Sequence, residues 1–263
     1  MTSDPWQDAS SYDRFMGRWS RTLARKLVEW LEVRPSASWL EIGCGTGSLT
    51  SAICELASPK SVLACDVTPD YVDYCREHLH DPALTVRRVA AGQIPKTEGG
   101  FSVVVSSLVL NFLPDPVQAL VQMRDATSPE GCVAAAVWDY AEGMEFLRLF
   151  WDAAAGLDPS ASKLHEGHRF PICRPDALRR AFEAAGLPSP RVDSITIATD
   201  FESFDDFWAP FIDGPGPAPA YVAGLSDPAR RRLTERLREV LGPGTPIHLG
   251  ARAWIAKGLR GSA

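Results

Sequence analysis

Apolar residues recur along this chain in two alternating rhythms. From Arg18 to Trp30, Leu23, Leu27, Trp30 and Leu31 fall at helical spacing, and Pro35 ends the pattern. Then come a short apolar run, Ser38 to Ile42, a glycine turn, a helix through Leu49 to Leu56, a strand Ser61 to Asp66 and a helix starting near Pro69. Leu84 to Val89 reads as a third strand. Phe101 to Ser106, with three consecutive valines, reads as a fourth strand buried on both faces, and Gly131 to Trp138 as a fifth, with a helix at Pro116 to Ala126 between them. Strands alternating with helices predict an α/β fold, a Rossmann-like, doubly wound and mainly parallel sheet with right-handed crossovers. Such sheets bind ligands at the carboxyl ends of their strands, near the switch point.

The alternation pauses after Trp138. Asp139 to Pro171 is rich in aromatics and histidines; a helix from Pro175 to Ala185 follows and ends at Gly186 and Pro188. Arg191 to Thr199 alternates as a strand does. Beyond it lie Phe201 to Phe211, a Gly/Pro-rich link at Gly214 to Pro219, a charged helix at Asp227 to Val240 and a last strand at Ile247 to Ala256. These readings suggest a single domain over residues 1–263, with an N-terminal helical segment at 1–35 and two candidate helical cap insertions at 139–172 and 200–246.

Charge changes the picture modestly. A formal net charge of −6 leaves no overall basic footprint for nucleic acid or an anionic membrane, so a small-molecule partner is favoured. The N-terminus lacks the apolar core of a secretory signal, and no run approaches membrane-spanning length. Six cysteines are scattered without a C-x-x-C pair, which suggests packed, reduced thiols in a cytoplasmic protein and no metal site. The arginines of the charged helix are balanced by Asp227, Glu235 and Glu239, as on a solvated face.

The candidate chemistry begins where the first strand runs into Gly43-Cys44-Gly45-Thr46-Gly47 and then a helix. Glycine there permits positive φ and lets a ligand lie on the backbone. A dinucleotide fingerprint needs glycine where this chain has Ser48, which counts against an NAD-dependent oxidoreductase. Asp66 ends the second strand at about the 20-residue separation expected of an acid that accepts hydrogen bonds from ribose hydroxyls. A nucleoside ligand is the expectation.

Four segments in order, W-L-E-I-G-C-G-T-G-S-L-T (Trp39 to Thr50), A-C-D-V-T (Ala64 to Thr68), F-S-V-V-V-S-S-L-V-L-N-F-L-P-D-P (Phe101 to Pro116) and S-P-E-G-C-V (Ser128 to Val133), resemble class I S-adenosylmethionine-dependent methyltransferases, in particular the small-molecule "type 11" group. The resemblance implies a seven-stranded sheet whose last strand is antiparallel, and S-adenosyl-L-methionine as cofactor. It further implies that Gly43, Gly45 and Gly47 line the methionine part, with Glu41 near the amino group. Asp66 holds the ribose, Val67 flanks the adenine, the Ala91 amide reaches the ring, and Ser106 and Leu108 lend backbone near the sulfonium. Arg18, in a segment similar to one that folds over the cofactor in related enzymes, suits its carboxylate. The sequence departs from the family at Ala90, which replaces an adenine-facing Asp, and at Leu110-Asn111-Phe112, which replaces L-H-H.

Methyl transfer from a sulfonium needs orientation and exclusion of water more than acid-base help, and no metal. Where an acceptor must lose a proton, the candidates are His165, His168 and Tyr140, while Asn111 orients an acceptor without taking a proton. His248 has no evident partner. The resulting expectation is methyl transfer to O, N or C of a small, apolar or aromatic molecule. A non-catalytic S-adenosylmethionine-binding regulator, supported by Ala90 and Asn111, is the rival, ahead of the oxidoreductase.

Overall fold

The computed structural model describes residues 16–90, 92–214 and 216–261. Seven strands form one sheet: β1 (Ser38–Ile42), β2 (Ser61–Asp66), β3 (Leu84–Arg88), β4 (Phe101–Ser107), β5 (Thr127–Trp138), β6 (Arg191–Ala198) and β7 (Gly250–Leu259), in the order β3-β2-β1-β4-β5-β7-β6. β1 to β5 pair in parallel, while β7 runs antiparallel to both β5 and β6. The chain reverses its direction of growth between β1 and β4, which makes the carboxyl ends of those strands the topological switch point.

Helix α1 (Arg18–Leu31) buries Trp19, Leu23, Leu27 and Leu31 along one stripe and packs on α2 (Ser48–Leu56). α3 (Pro69–His78) lies against β2 and β3, and α4 (Pro116–Ala126) against β4 and β5. The Asp115-Pro116 pair starts α4 for local reasons. The Asp115 carboxylate accepts the Gln118 N–H at 2.9 Å, and proline occupies the first turn, where its missing N–H has no partner to lose.

Two stretches leave the sheet. The first holds α5 (Glu145–Leu157), a 3-10 turn (Pro159–Leu164) and the short α6 (Glu166–Arg169); α7 (Pro175–Ala184) then returns to β6 and β7. The second holds α8 (Phe204–Asp213), α9 (Pro217–Ala223) and α10 (Asp227–Leu241). Aromatic packing joins them: Phe150 of α5 stacks on Phe211 of α8 at 4.4 Å and 6°, and Phe146 and Trp151 are as fully buried. Most of the aromatics in these stretches therefore form core. α10 buries only Leu233 and Leu237, and the rest of it is a charged, solvated face.

The structure corrects some boundaries. β5 begins at Thr127 instead of Gly131, its pairing with β4 shifting register between Phe101 and Val103. β7 begins at Gly250, because Ile247 bridges to Phe201 outside the sheet proper. His248 does have a partner, its Nδ1 standing 3.0 Å from the Asp200 carboxylate. Among the described residues no helix is long and apolar enough to cross a membrane.

One ion pair holds the first excursion to the last strand. Asp139, buried just past β5, accepts two hydrogen bonds on Oδ2 from Arg252 of β7, from Nε at 2.8 Å and Nη2 at 2.6 Å. Arg252 keeps a third of its side chain exposed, so part of the attraction is screened. Removing the acid leaves the guanidinium half-desolvated, with the exposed Glu142 carboxylate at 3.6 Å as a weaker counter-charge. Asp139→Ala is expected to lower the free energy of unfolding by about 2 kcal/mol, read as a lower urea midpoint at unchanged slope.

Candidate active site

The turn after β1 is tied down from β2. Gly43 and Cys44 donate their N–H groups to the Cys65 carbonyl at 2.7 and 3.0 Å, and Gly45 donates to Asp66 Oδ2 at 3.0 Å. The other Asp66 oxygen accepts from Thr68 N at 2.9 Å. Asp66 thus braces two loops while lining the cavity above them.

The three glycines differ in what they permit. All have positive φ, +75°, +52° and +80° for Gly43, Gly45 and Gly47. A Cβ on Gly43 would run into Val109, and one on Gly47 would meet Leu79 Cδ1 at 2.5 Å and Cys75 Sγ at 3.1 Å. A Cβ on Gly45 meets no atom of the described residues within 4 Å. Gly43 and Gly47 are demanded by protein packing, and the open side of Gly45 faces the cavity. Gly47 is not a lining residue.

That cavity has a volume of about 560 Å³ and lies over the carboxyl ends of β1, β2 and β4. Its floor carries Glu41, Gly43, Gly45, Asp66 and Val67; Leu108, itself at φ +63°, closes the turn after β4. Its far side is built from Asn111 and Phe112 of a 3-10 turn, Trp138 at the end of β5 and Tyr140 just past it, Glu166 and Phe170, and Pro217 to Pro219 of α9.

Glu41 is the least ordinary group in it. Its side chain is 1% exposed and accepts a hydrogen bond from Thr50 Oγ1 at 2.6 Å. Burial pushes its pKa up to about 8; the Thr50 bond opposes that shift and the nearby Asp66 charge adds to it. A buried carboxyl of this kind suits a cationic partner. The donors left over point the same way: among the described residues Thr46 Oγ1 and Asn111 Nδ2 are buried without a hydrogen-bond partner, and both residues line the cavity. A glycine with an open face, a ribose-height acid, a buried carboxyl and two orphan donors fit an amino-acid nucleoside such as S-adenosyl-L-methionine.

Not every expected residue reaches this space. Ser106 is buried behind the lining, and its neighbour Ser107 faces the cavity instead. The Arg18 guanidinium stands 3.5 Å from Asp206 and over the Phe201 ring at 5.0 Å, and Arg18 is not a lining residue. Ala91 lies outside the described residues.

Of the acceptor candidates, Asn111 and Tyr140 line the cavity and the two histidines do not. His165 caps α6, its Nδ1 accepting the Gly167 N–H at 2.9 Å, and burial lowers its pKa further. His168 donates from Nδ1 to the Ser162 carbonyl at 3.0 Å. Glu166, which stands between the two histidines in the sequence, does reach the cavity. Its only signal there was a lone acid flanked by histidines in an aromatic stretch.

Residues 40–133 match a family model described as a methyltransferase domain. Aklanonic acid methyltransferase DauC of Streptomyces sp. (strain C5) is 29% identical over 134 residues, 49% of this chain and 60% of that protein. Malonyl-(acyl-carrier protein) O-methyltransferase of Herminiimonas arsenicoxydans is 32% identical over 104 residues, 40% and 38% of the two chains. The chain spans between 33% and 60% of the lengths of such curated relatives. Phosphoethanolamine N-methyltransferase 2 of Haemonchus contortus, solved with S-adenosyl-L-methionine, shares the fold at a TM-score of 0.61 and 12% identity, over 97% of this chain and 57% of that one. The matched residues run from β1 into β5 of the sheet, and over that span the chain is similar to a methyltransferase domain.

Proposed function

We propose that this protein transfers a methyl group from S-adenosyl-L-methionine to O, N or C of a small organic molecule. The observation that carries the reading is the single cavity joining the open face of Gly45, Glu41 and Asp66 to an aromatic far side. The cofactor, when bound, supplies an activated methyl on a sulfonium that leaves as a neutral thioether. The protein's own residues supply position. Asp66 receives the ribose, Glu41 the amino group, Val67 a face of the adenine, and Leu108 backbone near the sulfonium. Stretches 139–172 and 200–246 act as the cap that selects the acceptor and keeps water out. Asn111 orients the acceptor. Six free thiols support a reducing, cytoplasmic setting.

Calorimetric titration of the purified chain with S-adenosylmethionine, S-adenosylhomocysteine and NAD tests the reading directly. Both adenosyl ligands are expected to bind one per chain and NAD to give no saturable heat. Binding of NAD alone, or of none of the three to folded protein, overturns the proposal.

A further inference from the structure

The two buried donors that lack a partner among the described residues lie on different parts of the cavity. Thr46 belongs to the glycine turn, where the cofactor is proposed to lie. Asn111 belongs to the far side, which faces the acceptor.

The backbone sets the place of Asn111. Its 3-10 turn, Leu110–Phe112, follows β4 at the switch point, and the turn is closed by Phe112 N–H donating to the Val109 carbonyl at 2.9 Å and Leu113 N–H to the Leu110 carbonyl at 3.3 Å. Leu110 is fully buried and anchors it. Between Leu108 and Leu113 the lining residues are Leu108, Val109, Asn111, Phe112 and Leu113, so the amide is the one polar side chain in an apolar stretch of wall. A buried donor without a partner costs about as much as a lost hydrogen bond, and such a group is kept where a ligand completes it.

We infer that Asn111 sets acceptor specificity, its Nδ2 donating to a carbonyl oxygen of the acceptor, and that the acceptor is a phenol or enol whose hydroxyl is conjugated with that carbonyl. This rests on the methyltransferase reading and narrows it. The orphan donor calls for an oxygen that accepts, and a carbonyl does so without bringing a further donor into the apolar wall. Conjugation also makes the hydroxyl more acidic, so it gives its proton to solvent on binding and Asn111, which takes no proton, need not. A lone pair of the ionised oxygen then forms the bond to the methyl carbon as the C–S pair returns to sulfur, and a negative oxygen and a positive sulfonium become a neutral ether and a neutral thioether. Before transfer the negative charge is shared with the carbonyl oxygen, which strengthens the hydrogen bond from Nδ2. A site that hydrogen-bonds a substrate group rejects an analogue lacking it far more strongly than an apolar pocket rejects a missing methylene.

The test uses the full chain saturated with S-adenosylhomocysteine, titrated calorimetrically with 4-hydroxyacetophenone and with 4-isopropylphenol, in which a methyl group replaces the carbonyl oxygen. The ketone is expected to bind at least about tenfold more tightly, although it is the less apolar of the two. Asn111→Leu removes the donor at similar size, and Asn111→Asp replaces it with an acceptor at the same shape; in each, the ketone should lose its preference over 4-isopropylphenol. A merely structural role for Asn111 would weaken both ligands together and leave their ratio unchanged. A ketone that binds no better than its analogue, or does not bind at all, overturns the inference, as does a preference that survives in either variant. Failure of S-adenosylhomocysteine to bind the native chain in the first step strikes the cofactor reading instead, so the two failures are told apart.

Discussion

Gly45→Val is expected to abolish measurable binding of S-adenosylhomocysteine in a protein that still folds. The backbone at this position is already held, with its N–H on Asp66 and its carbonyl accepting from the Cys75 thiol at 3.2 Å. A Cβ there has no atom of the described residues within 4 Å and Gly45 lines the cavity, so a valine would extend into the space proposed for the ligand. The fold bears only the left-handed conformation at φ +52°, a cost of about 1 to 2 kcal/mol for a residue with a Cβ. Gly99→Val supplies the control. Gly99 has φ +77°, open space around its Cβ and no place in the cavity lining, so it carries similar backbone strain and should keep full affinity. Equal losses in both variants would show strain to be the cause; normal binding in Gly45→Val would move the ligand elsewhere.

The contrast among the three glycines also marks how far the sequence could be read. The pattern G-C-G-T-G announced a turn that a ligand could approach, and β1, β2 and α4 begin and end where their apolar runs and proline signals place them. Those features are local. Nothing local distinguishes Gly45, open to the cavity, from Gly43 and Gly47, which are closed by Val109 and by Leu79 and Cys75, because those neighbours arrive from other turns of the chain.

The same limit applies to the acceptor side. Its geometry is set by contacts such as Asp139 with Arg252 and Glu145 with the Gly250 N–H, 113 and 105 residues apart in sequence. An H-x-x-H spacing draws attention as chemistry, whereas in the fold His165 is occupied as a helix cap and the residue presented to the cavity is Glu166. His248 found Asp200 through the approach of two segments 48 residues apart. Residue type and spacing are informative for the part of the cavity over β1 and β2, where strand, turn and helix are consecutive; the far part is assembled by tertiary packing.

Cofactor binding is expected to release close to one proton at pH 7, through Glu41. In the free protein this carboxyl, raised to about 8 by burial, is mostly protonated at neutral pH. A cationic amino group placed beside it favours the ionised form, so the bound complex holds Glu41 as carboxylate and the proton leaves. Between the ordinary glutamate range and about pH 7.5, affinity should therefore rise as pH rises, by up to about tenfold per unit, and the rise ends where the cofactor's own α-amino group loses its proton, near 8. Stability of the free protein runs the other way. A carboxyl whose pKa is raised by folding contributes most below its unfolded value of 4.5, and that contribution is lost as pH climbs through about 8. Titration at pH 7 in phosphate and in Tris, which differ in ionisation enthalpy, reads the proton count directly. Glu41→Gln keeps an acceptor for the Thr50 hydroxyl while removing the titration. It should bind more weakly than the native protein at pH 8, show no proton release, and unfold with a midpoint that no longer falls between pH 5 and 8. Proton uptake on binding, or a release unchanged in Glu41→Gln, would remove this residue from the cofactor's amino group.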